Sequence, residues 1–179
     1  RHKEYNEVFE RTYEEIRKNK DNSVVYIGGD IAHSKTDMSP ELIQMLSDLF
    51  VNLADICPTI LIAGNHDCNL NNRSRLDVLS PIVNNLQHPN LHYFKNTGVY
   101  KVADVSFVVW DCWDDEKDFI LAKDVEGDTK VVLFHGTVDS SKTDLGYHLP
   151  SDVKISKFKG YDLGLLGDIH KRQFLNRKK

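Results

Sequence analysis

A chain of 179 residues, 40% hydrophobic and 28% charged, can fill one domain with a sizeable core and leaves little room for two. Its formal charge of -4 and pI near 6.1 exclude a domain that grips nucleic acid through bulk basicity alone, and no apolar run nears the roughly 20 residues of a membrane span. Cys57, Cys68 and Cys112 are odd in number and lack Cys-x-x-Cys spacing, so no disulfide framework or thiolate zinc site is expected, and a reducing, intracellular setting rather than a secreted one is.

Tyr5, Val8, Phe9, Thr12 and Ile16 recur at helical spacing between charges and predict an amphipathic helix over residues 1–20. Residues 23–27 are rich in β-branched side chains and close on Gly28-Gly29, as a buried strand does. Ser39-Pro40 is an N-cap followed by proline at the first helical position, and Leu42, Ile43, Leu46, Leu49, Phe50 and Leu53 form the apolar face behind it. Residues 59–63 are the next strand; helix, strand, helix, strand is the order of a layered α/β domain. After Asn71-Asn72 a helix broken by Pro81 is expected. From Leu91 the texture changes to LHYF, GVYKV and VSFVVW, with turns at Asn96-Thr97-Gly98 and Ala103-Asp104, which predicts a meander on one side of the sheet. The polar stretch 111–129 predicts a short helix at most. Residues 130–134 and 161–166 are two further apolar strands, and with no repeat or linker in view residues 1–179 read as a single domain.

Four apolar strands therefore run into polar residues: VVYIGGDIAH, ILIAGNHD, VVLFHG and LGLLGDIH. Loops beyond the carboxyl ends of α/β strands converge on one crevice. The side chains gathered there would be Asp30, His33, Asn65, His66, His135, Asp168 and His170: carboxylates, imidazoles and an amide, with no thiolate. That mixture suits divalent manganese, iron or zinc better than calcium or a structural zinc. Taken singly, each motif is also what a capping Asp in a turn or a structural His looks like; repetition at four strand ends is what points to a metal site.

Gly29-Asp30-Ile31-Ala32-His33, Gly64-Asn65-His66-Asp67, His135 and Gly167-Asp168-Ile169-His170 resemble the ordered motifs of the calcineurin-like metallophosphoesterases, and within them most of all the SbcD-like nuclease subunits of double-strand-break repair. The resemblance runs from Val24 to Gln173. It implies a four-layer α/β fold, a two-sheet β-sandwich flanked by helices, with two divalent metal ions at its edge: manganese first, with iron, zinc or magnesium as alternatives. It further implies Asp30 as the carboxylate bridging both ions, with Asn65, His135 and Asp168 completing one shell and His170 serving the other. His66 would face the leaving group, His33 would steady the phosphate, and Asp67 would orient His66 from behind. DNA is the implied substrate, a second copy of the chain and a coiled-coil ATPase are the implied partners, and the cytoplasm or nucleoid is the implied location.

Two departures stand out. Asp168 occupies a place where the family usually has the first His of Gly-His-x-His, which adds negative charge and bears on metal preference. The family also opens with Asp-x-His at the end of a strand that would precede the helix at Arg1; the domain is thus expected to be truncated at both ends, without that strand or a C-terminal cap, and one ion's ligand set to be incomplete.

Phosphodiester cleavage suits such residues. Two ions about 3.5–4 Å apart activate a water and offset the charge of the attacked phosphate, neutral ligands keep them electrophilic, and an imidazole beside the leaving oxygen supplies a proton. Two divalent ions would bring the charge of -4 to about zero, so net charge does not exclude DNA. Arg73 and Arg75 are placed either to touch a backbone phosphate or to begin a solvated helix. Lys154, Lys157, Lys159, Lys171, Arg172, Arg177, Lys178 and Lys179 read as ordinary surface, and Trp110 and Trp113 as core and rim packing. The long loop 136–159 offers His148 to substrate or to solvent. A metal-dependent nuclease leads; a phosphoesterase for cyclic nucleotides or small phosphate esters and an inactive scaffold are the alternatives. Relatives acting on phosphoserine carry Asp-Arg-Gly where this chain has His33-Ser34-Lys35, which disfavours that branch.

Overall fold

The computed structural model describes residues 2–34 and 36–175; Arg1, where the predicted first helix opens, and the basic Arg177, Lys178 and Lys179 lie outside them. Among the described residues seven strands form two sheets. β1 (Val25–Ile27), β2 (Thr59–Leu61) and β3 (Leu91–Tyr93) lie parallel in that order. β4 (Gly98–Val102), β5 (Val105–Trp110), β6 (Thr129–His135) and β7 (Leu163–Gly167) make the second sheet, a β4–β5 hairpin followed by two parallel additions.

The predicted meander is corrected here. LHYF leaves the other two segments and joins the first sheet beside β2, with Thr59 N–H donating to the Asn90 carbonyl and Phe94 N–H to that of Leu61. A parallel neighbour needs a crossover, and α3 (Leu79–Leu86) supplies it. Nor does Pro81 break a helix. It sits in the first turn of α3, where a missing N–H has no intrahelical acceptor to lose, while residues 71–78 are turns. Asp77 fastens this start: its Oδ1 accepts from Leu79 N at 3.0 Å and Ser80 N at 2.7 Å, and its Oδ2 pairs with Lys95 Nζ at 2.8 Å.

Other elements follow the sequence pattern. α2 (Pro40–Ile56) starts where Ser39 Oγ accepts from Leu42 N at 3.2 Å, with proline at the first position. α1 (His2–Arg17) packs on α2 through Tyr13, with Phe9 and Ile16 half-buried and Tyr5 and Val8 exposed. The 111–129 stretch holds two single 3-10 turns, Glu116–Asp118 and Ala122–Asp124.

Alternation along the strands builds the layers. Leu61 points to Leu46, Phe50 and Leu79 of the helices, whereas Ile60 and Ile62 meet Phe107, Val109, Val131 and Leu133 between the sheets. The remaining residues of β5 and β6, Val108, Trp110, Val132 and Phe134, pack outward beneath Phe119, Ala122, Val125 and Tyr161. Burial on both faces is why these strands read as unbroken apolar runs. Helices, sheet, sheet, and a cover of 3-10 turns and loops are the four layers. No helix among the described residues is long and apolar enough to cross a membrane.

At their carboxyl ends the two sheets touch. A Cβ on Gly167 would overlap the Gly28 carbonyl oxygen and stand 2.8 Å from His135 Nδ1, so only glycine lets the end of β7 lie against the end of β1.

Candidate metal centre

His135 ends β6 with its ring buried, and its two nitrogens are in different surroundings. Nδ1 lies 2.5 Å from the Gly28 carbonyl oxygen, which can only accept. Nδ1 therefore carries the proton, and Nε2 presents a lone pair, the tautomer of a metal ligand. Nε2 faces Asn65 Oδ1 at 3.1 Å, Asp30 Oδ2 at 3.3 Å and Asp168 Oδ1 at 3.9 Å. Ligand atoms of Asp30, His135 and Asp168 all lie within 4.8 Å of one another. With the ring neutral, four lone-pair atoms converge with no proton among them, an arrangement that repels itself until a cation sits at its centre. Carboxylate, imidazole and amide oxygen together fit a divalent ion.

The backbone is shaped for this convergence. Asp30 and Asp168 both adopt left-handed conformations, φ 55° and 77°, which cost a residue with a Cβ about 1–2 kcal/mol and suit Asp better than most. Asp30 Oδ1 accepts from His66 N at 2.9 Å, tying the loop after β1 to the loop after β2. Asp67, fully buried, doubles that tie: Oδ1 accepts from Ala32 N and Oδ2 from Gly64 N, each at 2.9 Å. Burial pushes its carboxyl above the ordinary range, against the pull of these bonds. Asp67 was expected to orient the ring of His66. With both its oxygens taken by backbone N–H groups, the ring is held instead by the His33 carbonyl, 3.2 Å from Nδ1. The rings of His33 and His66 are exposed and nearly parallel, centroids 5.8 Å apart.

Other expected site residues are placed differently. His170 is exposed and stands outside the clustered side chains. Arg73 Nη2 bonds Asp111 Oδ2 at 3.1 Å and Nη1 bonds Asp114, so its guanidinium is committed to two carboxylates on the rim of a cavity of about 380 Å³. Asn65, His135 and Asp168 border the same cavity. Arg75 is exposed, and His148 is exposed on the long loop, opposite Lys142 in a β-bridge. Trp110 is buried against Phe134, ring centroids 4.7 Å apart, and Trp113 Nε1 donates to the Asn69 carbonyl at 3.0 Å. Sequence reasoning missed Gly28, whose carbonyl fixes the His135 tautomer from 107 positions away; the double glycine was the visible sign that the backbone there is closely approached.

A family model for calcineurin-like phosphoesterases matches residues 2–172. The chain belongs to that family, whose members bind divalent metals and act on phosphoesters. It is similar to an uncharacterized protein, R555, of Acanthamoeba polyphaga mimivirus, at 41% identity over 193 aligned residues. The match takes in 100% of this chain and spans 14% of the length of that relative.

Proposed function

We propose that this chain hydrolyses phosphodiester bonds of DNA in a metal-dependent reaction, as a nuclease resembling the SbcD-like subunits. The observation that carries the hydrolytic reading is the convergence of Asp30, Asn65 and Asp168 on the unprotonated face of His135. The choice of DNA rests on the motif resemblance, and is supported by the exposure of His33 and His66, which leaves room for a polymer to approach.

Asp30, Asn65, His135 and Asp168 would hold one divalent cation, and Asp30 would share a second with His170. Bound there, such cations supply Lewis-acid activation of water and offset the phosphate charge. Asp168, standing where a second imidazole is usual, makes the set richer in oxygen and favours manganese over zinc. Asp67 and the Gly28 carbonyl, bonded to Ala32 N, Gly64 N and His135 Nδ1, would keep the ligands aimed. His66 is fixed through Nδ1–H to the His33 carbonyl, which leaves Nε2 toward solvent; with the ring protonated at both nitrogens, Nε2 gives its proton to the departing oxygen. His33, beside it, would bond a non-bridging phosphate oxygen. By the same resemblance we propose that the chain acts with a second copy and a coiled-coil ATPase, which co-purification with such a partner would test.

A panel of single- and double-stranded DNA, a cyclic nucleotide, a chromogenic diester and a monoester, assayed with Mn2+ and then with chelator, tests the reading. Hydrolysis of DNA that chelator abolishes is expected. Turnover of the chromogenic diester with none of any DNA would overturn the nuclease in favour of a small-substrate phosphoesterase.

A further inference from the structure

Behind the metal loop lie two thiols that the reaction does not use. Cys68, fully buried, follows Asp67 directly, and its Sγ donates to the Gly64 carbonyl at 3.1 Å. Cys112, just beyond β5, is only partly buried and lines the cavity that Asn65 and His135 border. The two sulfurs are 3.3 Å apart, although the residues are separated by 44 positions and follow strands of different sheets. Cys57, at the end of α2, is buried away from them. A disulfide needs sulfurs about 2.05 Å apart, so bond formation asks for an approach of only about 1.2 Å.

We propose that Cys68 and Cys112 are a redox modification site: hydroperoxide joins them in a reversible disulfide that binds the Asn65 loop to the end of β5 and loosens its hold on the cation. The second half of this statement rests on the metal-site reading; the disulfide itself does not. Cys112, which reaches the cavity, is the sulfur that meets the oxidant. Its thiol reduces one hydrogen peroxide, giving a sulfenic acid and one water. The Cys68 sulfur then displaces the hydroxyl, which leaves with the Cys68 thiol proton as a second water. Two thiols lose two electrons and one peroxide gains them. The bond with Cys68, and then burial, push the Cys112 thiol up.

The cost to the metal loop is specific. Cys68 loses its proton and with it the bond to Gly64, the residue before Asn65 and one of the two whose N–H groups Asp67 holds. Disturbing such supporting bonds lowers metal affinity by about 10–100-fold in other sites.

The test is peroxide treatment of the chain, followed by thiol counting in denaturant, peptide mapping without reductant, and Mn2+ titration. Free thiols should fall from three to one, with a linked Cys68–Cys112 peptide and Mn2+ affinity weakened about tenfold. Dithiothreitol should restore both. Cys57→Ser should behave as the parent apart from its missing thiol, and Cys112→Ser should keep its Mn2+ affinity through peroxide. Three persisting thiols, or links to Cys57 or between chains, would overturn the site. A linked pair with undiminished Mn2+ affinity would overturn its coupling to the metal loop. If the reduced chain binds no Mn2+, the function proposed above fails, and the thiol count still decides whether the link forms.

Discussion

Gly64 and His66 separate two jobs within three consecutive residues of the loop after β2. Gly64 is there for space: a Cβ would overlap Asp30 Oδ1 and stand 2.7 Å from His135 Cε1. Gly64→Ala should therefore lower Mn2+ affinity at least about tenfold by displacing two candidate ligands at once, while overpacking costs the fold about 1–3 kcal/mol. Calorimetric titration beside urea unfolding separates the two effects, and full Mn2+ affinity in the variant would show that Asp30 and His135 are not jointly required. His66 has the opposite profile, because its ring is exposed and held by a backbone carbonyl rather than by the ligand cluster. His66→Ala should lose about 10²–10⁴ in turnover and keep its Mn2+ affinity. Single-turnover kinetics on the best DNA substrate would check this, and an unchanged rate would remove His66 from the reaction.

At the scale of elements, α3 depends on one buried carboxylate. Burial alone would raise Asp77, but Lys95 and two bonds from Ser80 outweigh it and hold the carboxyl below its ordinary range. In the unfolded chain the same group titrates near pH 4. The pairing therefore contributes fully above that pH and is lost as pH falls through the lower folded value, where the unfolded chain has already taken up its proton. Asp77→Asn should cost about 1.5–3 kcal/mol at neutral pH, the worth of charged hydrogen bonds, and should flatten the acid limb of a stability-against-pH curve; a limb as steep as the parent's would place the linkage in other carboxylates. This element also shows where sequence reading reaches its limit. Ser39-Pro40 marked the start of α2 because capping chemistry is local; Asp77 caps α3 just as locally, but the cation that pairs with its buried carboxylate, Lys95, lies 18 positions beyond it in the chain (95 − 77) and is invisible to periodicity. LHYF was recognised as a strand but given to the wrong sheet, since its partner β2 lies across a helix and its alternation is the same in either sheet.

For the whole molecule, the candidate cation site is a seam. Asp30 and Asn65 come from loops of the first sheet, His135 and Asp168 from ends of the second, and Gly28 and Gly167 let the two come into contact. The candidate ligands were legible because each follows an apolar strand; the seam was not, because the bond between His135 and Gly28 spans 107 positions and exists only after both sheets form. A cation bridging the sheets should stabilise the fold by mass action, about 2.7 kcal/mol at a hundredfold excess over its Kd. Mn2+ should raise Tm and chelator should return it; a Tm indifferent to Mn2+ would place the ion, if bound, off the seam. The most direct test of the account is calorimetric titration of Mn2+ into the parent chain and into Asp30→Asn, which keeps an acceptor for the His66 N–H but removes the charge facing His135 Nε2. The account predicts at least one bound ion per parent chain and an affinity at least about tenfold lower in the variant; equal binding in both, or binding in neither, would contradict it.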